Sequence, residues 1–251
     1  MIAIGNLCRA PLPHRYYIFI LHLIGVNLFR FSPALLFPAI KLATIADKTA
    51  RISVTALVDR QAALTRAMEM FWARGYANTS LTDLTRAMNI APPSFYAAFG
   101  SKDALYEESL RLFIAHHGGK MWEQIETTPT LLDAIEAFLK TSATAFADSG
   151  HPPGCMMIAG LQEMERDEGA SAAWLRSQWD ANRRKMQGRF KRAITEGDAP
   201  GGFDCRTAAD FVLTLQAGLS NAARLSLSRT HLVSVANLGR QSIETMLTTV
   251  R

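Results

Sequence analysis

Very little in this chain points to an enzyme or to a secreted scaffold. Its 251 residues include only three cysteines, Cys8, Cys155 and Cys205. Odd in number and far apart, they offer no disulfide framework and no paired zinc-ligand spacing, so a reducing, cytoplasmic setting fits them best. A Gly-rich phosphate loop, a nucleophile elbow, paired metal ligands and a carboxylate pair in a usable context are all missing. Catalysis is therefore not expected, and no cofactor is implied. His116 and His117 are adjacent rather than three or four apart, so their rings cannot readily meet one metal on a helix, and no metal is read.

Charge of one sign is also lacking over most of the chain. Lys and Arg number 27 against 22 Asp and Glu, and the isoelectric point near 9.3 taken alone would suggest a nucleic-acid partner. Residues 1–55, however, hold six basic groups (Arg9, Arg15, Arg30, Lys41, Lys48, Arg51) and one acid, Asp47. Everything after them is balanced, so the global charge says nothing about the body.

That leader is a different material. From Tyr16 to Phe29 it is almost wholly apolar, interrupted by His22 and Asn27. The run falls short of the roughly 20 residues of a spanning helix, and lengthening it would carry Arg30 toward mid-bilayer. Three readings fit 1–55. The expected one is an upstream start assigned in place of a later one near Val54 or Val58; a membrane anchor and a secretion signal are the alternatives.

What is present after residue 56 is helix. Apolar positions recur at three and four, and no β-branched run bounded by turns suggests a sheet. Leu64, Ala67, Met68 and Phe71 form one face, ended by Gly75 at a left-handed position. Later stripes are Leu131, Ile135, Phe138, Phe146; Leu175, Trp179, Met186, Phe190, Ile194, with Asn182 a polar gap; Phe211, Leu215, Leu219, Ala222; and Leu232, Val235, Leu238, Ile243, Met246. Loops are expected at Gly118-Gly119, Gly150 to Gly154, Gly197 to Gly202 and Ser228 to Thr230. The expectation is an all-α body of about nine helices.

Residues 75–106 carry the most information, because stop and start signals crowd there and short connections force steep helix crossings. Ser80 can accept from the Asp83 amide, with Asp83 completing a capping box. Leu81, Leu84 and Met88 make a buried stripe, and Asn89 stands where a left-handed residue would end the helix. The next helix opens on Pro92 and Pro93, whose missing amides would lack partners anyway. Phe95 and Phe99 point inward, leaving Pro93, Ser94, Ala97 and the Tyr96 ring toward solvent. Gly100 ends it and Ser101 caps its successor. This is helix-turn-helix geometry, in which the second helix enters the DNA major groove.

Leu64 to Phe71, Gly75-Tyr76, Thr79-Ser80, Asp83-Leu84 and Phe95 to Leu105 resemble the amino-terminal domain of TetR/AcrR-type transcriptional regulators. The resemblance implies a ligand-responsive repressor that binds a near-palindromic operator in double-stranded DNA as a homodimer. It divides the body into an amino-terminal three-helix helix-turn-helix DNA-binding domain at 56–116 and a carboxy-terminal helical effector-binding and dimerisation domain at 117–251. Tyr96 and Lys102 match the family's phosphate-contacting tyrosine and lysine, Thr79 and Ser80 its backbone contact, and positions 92–98, including Pro92, Pro93, Ser94 and Ala97, its groove-facing helix. Asn89, Ala91 and Ala98 depart from the residues usual in the family, so no operator sequence is inherited. A membrane-tethered regulator and a small-molecule binding protein without DNA binding are the competing readings.

Met156, Met157, Met164, Trp174, Trp179 and Phe190 are more large apolar groups than a small core needs. They suggest a flexible cavity for a small apolar effector. The basic run Arg183-Arg184-Lys185 with Arg189, Lys191 and Arg192 flanks an apolar stripe and reads as a solvated helix face.

Overall fold

The structure is a computed structural model, and it describes residues 60–249. The leader, with its three readings, lies outside the described residues. Ten helices follow in order: α1 (60–74), α2 (Leu81–Met88), α3 (Pro92–Phe99), α4 (Lys102–Phe113), α5 (Gly119–Thr127), α6 (Leu131–Phe146), α7 (Met156–Glu163), α8 (Ala170–Glu196), α9 (Cys205–Arg224) and α10 (Arg229–Thr249). No strand occurs among the described residues, and no helix there is long and apolar enough to cross a membrane.

The break expected at Gly118-Gly119 is not a loop. A π-helical turn, Ile114–Gly118, joins α4 to α5, and both glycines keep right-handed helical angles. Counting this rod once gives the nine helices expected, among the described residues. A widened turn of this kind re-aims the side chains that it carries and often marks a functional position.

The caps explain most boundaries. Thr130 accepts from the Asp133 amide at 3.2 Å to start α6, and Asp204 accepts from the amides of Arg206 and Thr207 to start α9. Gly197, at φ +79°, ends α8, where a side chain would be strained. The interior is one continuous apolar cluster reaching from Ala63 on α1 to Ile243 on α10. α6 packs chiefly on α10, α5 and α9, and α4 packs on α8. At the centre α10 approaches so closely that a Cβ on Gly239 would overlap the side chains of Leu215 and Leu139.

Two expected stripes are rotated from the core. α9 buries Ala208, Val212, Leu213, Leu219 and Ala223, leaving Phe211, Leu215 and Ala222 only half-buried. α10 buries Leu232, Ala236, Gly239 and Ile243, while Leu238 is 59 % exposed and Val235 and Met246 are half-buried. Each helix thus carries two apolar faces, of which the chain's own core uses one.

Candidate nucleic-acid interface and ligand cavity

The helix-turn-helix is built as its residues require. Ser80 Oγ accepts from the Asp83 amide at 3.1 Å, and the Ser80 amide donates back to the Asp83 carboxylate at 3.2 Å. The Ser80 hydroxyl, donating to the Asp83 carboxylate at 2.6 Å, and after it the Ser80 amide hold the Asp83 carboxyl below the ordinary carboxylate range, with Arg74 and Arg86 adding a smaller pull. Asn89 takes φ +57°, ψ +45°, and its amide bonds back to the Arg86 carbonyl, which turns the chain sharply out of α2.

α3 has no side-chain cap and begins on its two prolines. Phe95 and Phe99 are buried, 6.0 Å apart between ring centroids, and anchor the helix. Their opposite face is bare: Pro92, Pro93, Ser94, Tyr96 and Ala97 are all exposed, Tyr96 by 54 %. Its ring stands edge-on to Phe95 at 5.4 Å, so anchor and exposed ring are mechanically joined. Ser101 caps α4 by accepting from the Ala104 amide at 3.0 Å. Ser80 is exposed at the amino-terminal cap of α2.

Two expected contact residues are placed differently from the rest. Thr79 is fully buried and its hydroxyl donates to the Gly75 carbonyl at 2.6 Å. Its side chain is used within the turn and cannot face a duplex, so its role is to hold the corner that presents Ser80. Lys102 is half-buried, with Nζ 4.1 Å from the centre of the Tyr76 ring. Desolvation lowers its pKa against the opposing pull of Glu163.

The cations of this region are partly sorted. Arg60 forms a forked pair with Glu108 at 2.9 Å, and Arg111 pairs with Glu107. Arg66, Arg74 and Arg86 have no carboxylate partner among the described residues. α3 itself carries no acid.

The six large apolar residues expected to form a cavity do not come together. A cavity of about 80 Å³ is present, but only Met157 of the six lines it. Met156, Met164 and Phe190 are buried core, Phe190 stacking on Phe203 at 5.8 Å. Trp174 is half-buried beneath the Arg111 guanidinium at 4.8 Å, and Trp179 is half-buried against the core. The reason is helical geometry: neighbours such as Met156 and Met157 are about 100° apart around the axis, so a sulfur-rich run cannot all face one space.

The cavity lies instead where the π-helical turn meets α5, α7, α8 and α9. Phe113, His117, Met121, Cys155, Asn182 and Gln216 are among its walls. Asn182 was visible in the sequence as a gap in an apolar stripe, a signal for an inward-facing polar group. Gln216 gave no such signal, since the apolar spacing of α9 did not include it. Burial pushes the Cys155 thiol up, so it is a neutral thiol in this wall.

Beside the cavity an aromatic group ties α1 to the rest of the body. Trp72 is buried, donates from Nε1 to the Gly154 carbonyl at 3.1 Å, and stacks on His151 at 4.6 Å. His117, which lines the cavity, packs against both at 4.9 and 5.2 Å. Arg224 Nη2 donates to the Trp72 carbonyl at 2.7 Å.

The basic run on α8 is the solvated face that its spacing suggests at Arg184 and Lys191, which are exposed, but not at Arg189. Arg189 is 3 % exposed and donates to the Pro129 carbonyl at 3.1 Å. Arg183 makes a two-pronged pair with Asp210, and Lys185 pairs with Glu126. These groups pin α8 to its neighbours. Among the described residues no group of three or more His, Cys, Asp or Glu side chains could hold a metal ion.

Two family models match the chain. "Bacterial regulatory proteins, tetR family" covers residues 63–109, and "Tetracyclin repressor-like, C-terminal domain" covers residues 132–238. The HTH-type transcriptional repressor ComR of Escherichia coli K12 is 30 % identical over 179 residues, 71 % of this chain and 85 % of ComR. BdcR, another HTH-type repressor of that organism, is 25 % identical over 185 residues, 74 % of this chain and 89 % of BdcR. A cysteine mutant of the TetR family regulator CifR, solved with a 26-bp double-stranded operator DNA, is similar in structure with a TM-score of 0.67 and 31 % identity. That match spans 72 % of this chain and 94 % of CifR.

Proposed function

This chain belongs to the TetR family of bacterial regulators, and from that premise we propose that it is a ligand-responsive transcriptional repressor. It binds a near-palindromic operator in double-stranded DNA as a homodimer, in the cytoplasm, where its DNA would be. The reading divides the body into a DNA-binding part at 56–116 and a ligand-binding and dimerising part at 117–251.

The observation that carries it is the outer face of α3, exposed from Pro92 to Ala97, free of acidic side chains and held from behind by Phe95 and Phe99. Such a helix can enter a major groove without bringing a carboxylate against phosphate. Ser94, Tyr96 and Ala97, with the Pro92-Pro93 opening, are the groove-side residues of this reading. Ser80 and Lys102 contact the backbone, Lys102 leaving the Tyr76 ring to reach it. Because the domain is balanced in charge overall, specificity rests on fit, and the salt dependence of binding is modest.

Dimerisation has its own support. The second apolar faces of α9 and α10, with Leu238 more than half exposed, suit a four-helix bundle with the symmetry mate. Ligand response follows from placement. Phe113 and Ile114 at the end of α4 line the cavity, and Lys102 begins the same helix, so a ligand that favours one packing of α4 would bias the spacing of the two heads.

The test is to sequence DNA fragments retained by the purified full chain, beside a Tyr96→Ala control. Enrichment of one near-palindromic motif that the control fails to retain is the expected result. Equal retention of unrelated sequences by both proteins would overturn the reading.

A further inference from the structure

The walls of the cavity have a chemistry of their own. No Asp, Glu, Lys or Arg lines it. Most of its surface is aromatic, aliphatic or sulfur, from Phe113, Met121 and Met157 among others. Its volume of about 80 Å³ is roughly half that of an apolar cavity that takes benzene, with its six heavy atoms, so there is room for a molecule of about three.

Of the amide side chains in this surface, Gln178, Asn182 and Gln216, only Gln216 is nine-tenths buried, and it has an open valence. Gln216 is 95 % buried, and the two hydrogen bonds of its side chain both come from Nε2, which donates to Ser142 Oγ at 3.0 Å and to Met121 Sδ at 3.3 Å. Ser142 in turn donates to the same sulfur at 3.6 Å, so the amide is fixed by its nitrogen end. Its carbonyl oxygen has no partner among the described residues and belongs to a side chain that lines the cavity. An acceptor on the wall of a cavity, with no partner in the protein, can be satisfied by a donor brought in by a ligand.

The geometry points to a site for a small uncharged molecule with an apolar body and one hydroxyl, which donates to Gln216 Oε1: the chemical class is that of a short-chain alcohol. An anion or cation would lose its hydration and find no counter-charge in the walls, which excludes carboxylates and ammonium ions of the same size. This inference rests on the reading of the chain as a ligand-responsive regulator, which it deepens by naming the ligand's class.

Methionine methyl resonances give a direct readout on the full-length protein, because Met121 and Met157 line the cavity whereas Met156 and Met164 do not. The protein, labelled with carbon-13 at its methionine methyls, is titrated with ethanol, with dimethyl ether, which has the same number of heavy atoms and no donor, and with formate and ethylammonium. Saturable shifts of Met121 and Met157 are expected with ethanol, at least tenfold weaker binding of the ether, and no saturable shift with either ion. In Gln216→Leu, whose fold is checked by its methionine spectrum, the preference for alcohol over ether falls to about one.

Equal binding of alcohol and ether to the unaltered protein overturns the proposal, as does binding of either ion, or an ethanol response that does not saturate. The comparison of alcohol with ether needs no variant, so it decides the matter even if Gln216→Leu fails to fold. None of these titrations involves DNA. Failure of the operator experiment alone would sink the repressor reading, and failure here alone would sink the ligand class.

Discussion

The carboxylate of Glu163 accepts the backbone amide of Tyr76 at 2.8 Å and that of Ala77 as well. Glu163 ends α7, whose first turn faces the cavity through Met157, and Tyr76 begins the turn that presents Ser80. The Tyr76 ring in turn lies beneath Lys102 Nζ. One charged cap therefore joins the cavity side of the molecule to the region proposed to meet DNA. Glu163→Ala leaves two amides to water. Because the site is exposed, the loss is held to about 1 kcal/mol, a fall in Tm of about 2–4 °C for a chain of this size. Glu163→Gln, which keeps an acceptor oxygen, should lose less than half of that in a calorimetric melt.

Glycine at position 75 is demanded twice. Its φ of +82° disfavours a side chain, and a Cβ there would stand 2.7 Å from Glu163 Oε2. Gly197 has nearly the same φ, +79°, with nothing within 4 Å of such a Cβ. Gly197→Ala should cost only the left-handed strain of about 1–2 kcal/mol. Gly75→Ala should cost more, by the amount needed to displace the Glu163 cap, and in the Glu163→Ala background that excess should disappear. Denaturant midpoints of the four proteins check it, and an excess that persists without Glu163 would show that some other contact is at fault.

Lys102 and Tyr96 should separate by salt dependence. If Lys102 leaves Tyr76 to meet a phosphate, Lys102→Ala reduces the slope of log affinity against log salt by about one per subunit. Tyr96→Phe keeps the exposed ring and removes only an uncharged hydroxyl, so it should leave the slope alone while weakening binding about tenfold, or about 1.4 kcal/mol. Fluorescence anisotropy with the selected operator at four salt concentrations measures both. An unchanged slope for Lys102→Ala would leave that residue as a structural partner of Tyr76.

The helix-turn-helix was legible because its determinants are local. Capping boxes, a left-handed Asn89, prolines at a helix start and two phenylalanines four apart each act within a few residues, and the structure has all of them where the sequence placed them. The cavity was not, because its walls come from four stretches far apart in the chain, 113–122, 155–158, 178–182 and residue 216. Apolar content selected Met156, Met164 and Phe190, which fill core, while Gln216 and His117 reach the cavity only through helix packing. The burial of Arg189 on α8 escapes the sequence for a similar reason. Periodicity places Arg189 beside an apolar stripe but cannot reveal that the Pro129 carbonyl waits opposite. The rod from α4 to α5 escaped because two adjacent glycines usually mark a break, and here the π-helical turn absorbs them.

The imidazole of His117 provides a pH-dependent test of the junction beside the cavity. Burial first, then the neighbouring His151 and His116, hold its pKa below the usual 6.5. The faces around it are aromatic, Trp72 and Phe113, and the nearest carboxylate to the group is Asp148, which lies 3.8 Å from His151 rather than beside His117. A histidine kept neutral by the fold takes up its proton more readily in the unfolded chain. Between the usual value and the lower folded-state value the unfolded chain binds more protons, so stability rises with pH across that window. The contribution is complete above pH 6.5 and is lost as pH falls below it. Melts at pH 7.5 and pH 5.5 should therefore differ more for the unaltered protein than for His117→Gln, which cannot gain the charge. An identical difference in the two proteins would assign the acid sensitivity to groups outside this cluster.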